Sequence, residues 1–585
     1  MKVDAKVFKN SITTKVVPVL LCCIALCSFI HHSVAANIDL SIGRFVLFMD
    51  ERITFDGVKM ILHPEGFRSF IGAVIGGDQR YGRSLWNLMA AFSFFPALVW
   101  GDQGQIIAGR MLQVLLIVSA CFVFTFGILR NWYLRLVLVI VMLAMPYSDY
   151  YMSMPKPEPL QLLLLAIFCF YYFRYKLKFG WYWIFAGLAF GTKISTLPAL
   201  IVYGLFALVV NVNYMPDAHL GRSIKVALLS FFIGLAIAVP ILLSPVLLGA
   251  GGYYLFGRLK NGLRLSVMSQ GLFISFGLVA IYFISWKVIE VWVGSTFLNT
   301  KHGADQVSVN AVSWIKYFFE TWLVVPELVG ISCFVVAILF ISLSGIFLLR
   351  TKAVSHNKIA ALSVALSGIA LNLAIFFGVQ RLWGFYLYPG TILLVAGLVL
   401  MIDASFHEQS ENCASQFKKT LRFLGYVVAL LVFFVATFSW TPHTISRLEE
   451  LARRTISMDY IQQYSSYQEV LKFLDNQKNI VNKSLRVMLT PSLFPPESGA
   501  YYQIVEFWGP FIQWNESPDV IIFGSVNTPR GMPTPQDSPS YSSFLLERQG
   551  YAMHVAESGS ECKARPCFER KLLLPNGGEI LVLKK

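Results

Sequence analysis

From Val16 to Trp440 the chain repeats one pattern, an apolar run followed by a short polar loop. Crossing a bilayer takes about 20 apolar residues in succession. By that measure the first crossing is Val16–Ile30, and others fall at Ile106–Leu129, Leu134–Pro146, Leu160–Phe173, Trp181–Val210 and Ile224–Leu248. The series continues with Leu272–Val293, Trp322–Leu349, Ile359–Gly378, Phe385–Ile402 and Leu421–Trp440. The pattern predicts an all-α polytopic membrane bundle of about 11 spans over residues 1–440. Trp181–Val210 is too long for one straight crossing and carries Gly191-Thr192-Lys193 in its middle, which predicts a broken or tilted helix.

Residues 37–105 form an external loop in this reading. Phe55–Ile75 mixes apolar and charged residues at helical spacing, the pattern of a helix lying in the membrane interface. Trp86–Trp100 is apolar but short and carries Pro96, and it reads as a second interfacial helix. Orientation follows from the basic residues. Lys2, Lys6, Lys9 and Lys15 hold the N-terminus in the cytoplasm. Counted from there, each inside loop is basic: Arg130 and Arg135; Arg174, Lys176 and Lys178; Arg258, Lys260 and Arg264; Arg350, Lys352 and Lys358; Lys418, Lys419 and Arg422. The expected place is the plasma membrane (the inner membrane of a bacterium), with the C-terminus outside. Ser33-Val34-Ala35-Ala36 resembles a signal-peptide cleavage site, so removal of the first run is the alternative to keeping it as a span.

After Trp440 the pattern changes. Tyr467–Asn476 reads as a helix, and short β-like runs follow at Leu485–Leu489, Val520–Phe523, Ala552–Val555 and Ile580–Leu583. Residues 441–585 are therefore predicted to form a small external, periplasmic α/β domain.

Composition narrows the class. The 585 residues are 56% hydrophobic with a mean hydropathy of +0.61, which excludes a soluble protein. The net charge of +15 sits in short loops between spans rather than in a phosphate-tracking patch, which argues against a nucleic-acid partner. Most of the nine cysteines fall within spans. Only Cys562 and Cys567 lie together in a polar region. They flank Lys563-Ala564-Arg565-Pro566 in a compartment expected to be oxidising, which predicts a short-loop disulfide; two free thiols are the plainer alternative.

A charge near hydrocarbon is costly and is usually kept for a task. Asp50 and Glu51 follow closely on the first run and suit the activation of an acceptor nucleophile, although they also suit a helix cap. Four further features are expected at the same face: Arg110 at the outer end of the second span, Lys156 and Glu158 at the mouth of the fourth, Lys193 within the fifth, and Arg381 between the ninth and tenth. Snorkelling or solvation explains Arg110, Lys156 or Arg381 taken singly. Lys193 is different, because a lysine so far into an apolar run needs a partner or a wet cavity. Cations beside carboxylates at one face point to a site that holds an anion, such as a phosphate, next to a base. No metal-ligand spacing stands out, His302 with Asp305 reads as solvated loop, and no cofactor is expected.

These residues resemble the GT-C membrane glycosyltransferases, particularly the protein O-mannosyltransferase and lipid A aminoarabinose transferase branch. The resemblance covers roughly residues 16 to 402 and rests on the order of its motifs: Asp50-Glu51 after the first span, Gly101-Asp102-Gln103-Gly104 with Arg110, Lys156-Pro157-Glu158-Pro159-Leu160, Gly187 to Lys193, and Gln380-Arg381 with Tyr386, Tyr388 and Pro389. It departs from the family in carrying Glu158 where many relatives have Asp, and Tyr81-Gly82-Arg83-Ser84 where an aromatic or proline-rich stretch is expected. The resemblance implies an inverting transferase that takes a sugar from a polyprenyl-phosphate donor, with Asp50 as base and Glu51 orienting it or the acceptor. It implies that Arg110, Lys193 and Arg381 hold the phosphate and that Lys156 and Glu158 border the sugar. The acceptor stays open among protein, lipid and glycan. Two alternatives remain: a lipid-linked glycan flippase or transporter, and a glycan polymerase or ligase on the same substrates.

Overall fold

Backbone that has no water to bond with must satisfy its N–H and C=O groups internally, so apolar runs in lipid coil into helices. The computed structural model follows that rule. It describes residues 5–38, 49–75, 83–214, 217–239, 355–375, 384–407, 416–454, 465, 468–477, 485–489, 502–506, 519–523, 554–556, 567–574 and 579–584. The chain divides into two units, Met1–Ala35 with Thr54–Leu448 and Ala36–Ile53 with Glu449–Lys585.

The helices are α1 (Ala5–Ile38), α2 (Met49–Leu62), α3 (Phe67–Ile75), α4 (Ser84–Phe122), α5 (Trp132–Ala144), α6 (Ser148–Ser153) and α7 (Pro157–Arg174). They continue as α8 (Trp183–Thr192), α9 (Leu197–Tyr214), α10 (Asp217–Ala238), α11 (His356–Ala374), α12 (Tyr388–His407), α13 (Gln416–Val435) and α14 (Thr441–Arg454). Among the described residues six helical stretches are long and apolar enough to cross a membrane: Val16–Ala36, Ser84–Ile128, Ile194–Val212, Leu220–Ala238, His356–Ala374 and Val427–Glu449. Trp132–Ala144, Trp183–Thr192 and Tyr388–Ala404 are shorter apolar helices. These are the helices of an integral membrane protein. The expected spans Leu272–Val293 and Trp322–Leu349 lie outside the described residues.

Three local features refine the sequence reading. The stretch expected as one interfacial helix is two, because the chain leaves the helix at Pro64 and turns at Gly66 between α2 and α3. On α2, Phe55, Val58 and Ile61 form a buried stripe at spacing three. Pro96 does not interrupt α4; the break falls at Gly101, whose φ of 59° and ψ of −140° only glycine adopts readily. The chain bends there so sharply that Gly104 packs on the Pro96 carbonyl. The limb before the break carries strongly exposed Phe95, Leu98, Val99 and Trp100.

Inside the bundle runs α7, buried along most of its length and apolar all round, as an interior helix must be. Beside it, α8 and α10 approach closely through Gly187, against the Phe231 carbonyl, and Gly234, against the Ile184 carbonyl. Small residues let backbones touch where lipid supplies no hydrophobic drive to associate.

The second unit contains a six-stranded mixed sheet in the order β2-β1-β3-β6-β5-β4. Its strands are β1 (Leu485–Leu489), β2 (Tyr502–Glu506), β3 (Val520–Phe523), β4 (His554–Ala556), β5 (Cys567–Leu573) and β6 (Glu579–Lys584). β1 runs parallel to β2 and β3, β6 antiparallel to β3 and β5, and β4 parallel to β5. Val470 and Leu474 of the helix at 468–477 pack with Val487, Val520, Ile522 and Ile580 to form its core. The expected Cys562–Cys567 disulfide involves Cys562, which lies outside the described residues; Cys567 begins β5.

Candidate functional site

The site is built on two helix beginnings. Lys156 stands before Pro157, and the ring of a proline pushes the preceding residue out of helical space; Lys156 is extended, at φ −138° and ψ 154°. Pro157 then opens α7 with its φ already set for a helix. Glu158 follows in the first turn, where the unpaired N–H groups and the positive end of the helix dipole favour a carboxylate. Glu158 keeps only 2% of its surface exposed, and Lys156 only 5%.

The second beginning follows the break predicted at Lys193. α8 ends at Thr192, Lys193 is extended at φ −153°, a short 3₁₀ turn spans Ile194–Thr196, and α9 starts at Leu197. A broken helix frees backbone carbonyls that need new donors. Thr196 provides them: its hydroxyl lies 2.7 Å from the Lys193 carbonyl and 3.1 Å from that of Ala189, and it accepts from Gln161 Nε2 at 2.7 Å. Thr192 bonds back to the Leu188 carbonyl and pairs with Ser84 at 2.8 Å. The break is therefore a held geometry.

The two beginnings meet. Lys193 Nζ forms an ion pair with Glu158 Oε1 and lies 4.7 Å from the ring centre of Tyr386. Tyr151 of α6 lies beside the same carboxylate. Tyr147, which precedes α6, takes a left-handed φ of 71°, a strained position for a side-chain-bearing residue. The adjacent Ser148 bonds the Met142 carbonyl at 3.2 Å, and so does the Tyr388 hydroxyl. Glu158 Oε2 is buried and meets no donor at ordinary hydrogen-bond geometry among the described residues, with the Tyr151 hydroxyl the side chain placed to interact with the carboxylate. A buried acceptor left open is costly, on the order of 1–3 kcal/mol.

No protein-family model matches the chain, and no curated protein matches it. The site is therefore read from its own residues. Glu158 and Lys193 come together as a pair. Arg110, on the second limb of α4, is buried with 7% of its surface exposed, so it and Lys156 are buried cations of the same unit. Asp50 and Glu51 stand in the first turns of α2, but their side chains are outside the description, as is Arg381 altogether. Among the described residues no group of three or more His, Cys, Asp or Glu could hold a metal.

Several participants escaped the sequence reading. Tyr151, Gln161 and Thr196 look like ordinary span residues in the sequence, and only the packing of α6, α7 and the turn between α8 and α9 makes them neighbours of the pair. Arg83 was visible as a departure from the family pattern. It is buried, with its guanidinium 4.2 Å from the Trp86 ring.

Proposed function

We propose that the chain is a membrane glycosyltransferase that moves a sugar from a polyprenyl-phosphate donor to an acceptor at the external face. The observation that carries this reading is the Glu158–Lys193 pair at the held helix break, its carboxylate buried and its ammonium partly exposed, with Glu158 Oε2 meeting no donor at ordinary hydrogen-bond geometry among the described residues. A sugar hydroxyl is the donor that such an acceptor suits. An ammonium beside it suits the phosphate that gains charge as the bond from the anomeric carbon to the phosphate oxygen breaks. In this reading the acceptor attacks that carbon from the opposite face, its proton passes to a base, and the polyprenyl phosphate departs with the bonding electrons. Asp50 as base, Glu51 as its orienting partner and Arg381 as a further phosphate ligand rest on the resemblance. Arg110 and Lys156 supply additional interior positive charge.

A specific feature also favours a second reading. Discontinuous helices with charges at the break are how many transporters hold an anionic cargo, so a flippase of a lipid-linked glycan fits α8–α9 as well. One experiment separates the two. The full-length protein is reconstituted in vesicles with defined, labelled polyprenyl-phosphate sugars and a panel of protein, lipid and glycan acceptors. A transferase releases polyprenyl phosphate and labels one acceptor, whereas Asp50→Asn lowers that rate by about 10²–10⁴-fold without lowering the amount inserted. Movement of intact donor between leaflets, without cleavage, would replace the transferase with the flippase.

A further inference from the structure

At the other end of α7 the chain makes a cavity of a different kind. From Glu158 to Arg174 the helix covers about 24 Å, most of the roughly 30 Å hydrocarbon thickness, so the cavity is remote from the Glu158–Lys193 pair. It is a half-open cleft of about 420 Å³, within the range of small-ligand sites of about 300–1,000 Å³. Three loops that the sequence reading assigns to one membrane face converge on it, bringing Arg130, Arg135, Arg174, Ser355 and Asn357 together.

These arginines divide by role. Arg135 is committed: its Nε and Nη2 donate to the Leu129 carbonyl at 3.0 and 2.6 Å, and its guanidinium stacks 4.0 Å from the Trp132 ring. Asp403 is also committed, since its two oxygens accept the backbone N–H groups of Arg130 at 3.1 Å and Asn131 at 3.0 Å. Its carboxylate holds the loop that presents Arg130. The Arg130 and Arg174 side chains, both exposed, have no ion pair or hydrogen bond among the described residues. Ser355 precedes α11, so the positive end of that helix also faces the cavity. More positive charge lies close by, because His356 sits within electrostatic range of Lys176 and Lys178. The remaining wall is apolar, formed by Phe126, Phe170, Phe173 and Leu400.

We propose that this cavity binds a phosphate ester, with Arg130 and Arg174 gripping the phosphate oxygens and the aromatic wall taking the carbon skeleton next to it. A planar guanidinium fork matches phosphate geometry, and two such forks with no partner among the described residues leave that capacity unused there. Basic pockets between membrane helices hold anionic headgroups on the same principle. The same chemistry serves a phospholipid headgroup or a soluble phosphate. The proposal does not depend on the transferase reading.

The test uses full-length protein in detergent micelles, a fluorescent short-chain phosphatidic acid as probe and inorganic phosphate as competitor. The wild type binds the probe saturably, and Arg130→Gln/Arg174→Gln weakens it about tenfold or more, as expected for two lost charged hydrogen bonds. Ala404→Trp, which fills the cavity and keeps every charge, weakens it to a similar degree and guards against a misfolded double variant. Lys176→Gln/Lys178→Gln, next to the cavity but outside it, stays within about twofold of wild type, because diffuse charge alone is screened by salt. Displacement by inorganic phosphate at comparable concentration identifies a soluble occupant, and resistance to it identifies the lipid headgroup. Equal probe binding by wild type and both cavity variants would overturn the proposal, and so would an equal loss in the Lys176→Gln/Lys178→Gln variant.

Discussion

The two ends of α7 handle charge in opposite ways. At its start Glu158 is buried and paired with the mostly covered Lys193, and Thr196 and Tyr386 brace the pair. At its end Arg174 is exposed and, with Arg130, has no ionic partner among the described residues. Desolvating a lone ion costs several kcal/mol, so a charge deep in the bundle persists only beside its opposite. A charge at the rim stays hydrated on a flexible stem and needs no partner. Pairing at one end is therefore a condition of burial, and absence of pairing at the other is a capacity to bind.

Removing one member of the buried pair tests the comparison most strongly. Lys193→Met alone should destabilise the fold by about 3–5 kcal/mol, because it strands Glu158, whereas Lys193→Met with Glu158→Gln should recover most of the loss. Denaturant unfolding in detergent, arranged as a double-mutant cycle, measures the coupling. Additive losses in the two single variants would mean that the pair is solvated.

A middle-sized effect belongs to the brace. Thr196→Val keeps the shape of the side chain but removes the hydroxyl that serves the Lys193 and Ala189 carbonyls and the Gln161 amide. It should cost about 1–3 kcal/mol, visible as a lower melting temperature. A loss no greater than that of an ordinary surface change would show that the break holds itself open without the brace.

The smallest effect is expected at the far end. Arg174→Gln should leave stability within about 0.5 kcal/mol of wild type, the usual range for surface positions without a structural partner. A loss comparable to that at Lys193 would erase the distinction between the two ends.

How far the sequence could be read depended on how local each feature is. The break at Lys193 was legible, because Gly191-Thr192-Lys193 interrupts an apolar run too long for one crossing. β1 and β3 were legible for a similar reason, as short β-branched and aliphatic runs bounded by polar segments. β2 and β5 were not. Tyr502–Glu506 has only Ile504 and Val505 between Gln503 and Glu506, and β5 carries Glu569, Arg570 and Lys571 in its middle, so neither shows an apolar run. Their strand state comes from pairing, β2 on β1 and β5 between β6 and β4. Trp86–Trp100 and the span from Ile106 were read as separate helices with Pro96 as the weak point of the first; Pro96 stays within α4, and the break comes instead at Gly101, a glycine at positive φ.

Taken by itself the sequence determined that this is a membrane protein of many helices, where one of them breaks, and that the lysine at that break needs a partner or water. Those properties arise from transfer energies and backbone needs that act within one run of residues. Only the tertiary structure decided that Glu158 pairs with Lys193 35 residues on, that Asp403 holds the Arg130 loop from 273 residues away, and that Arg130 and Arg174 face one cavity. Such contacts are set by how helices pack, and many packings share the same hydrophobic pattern along the chain.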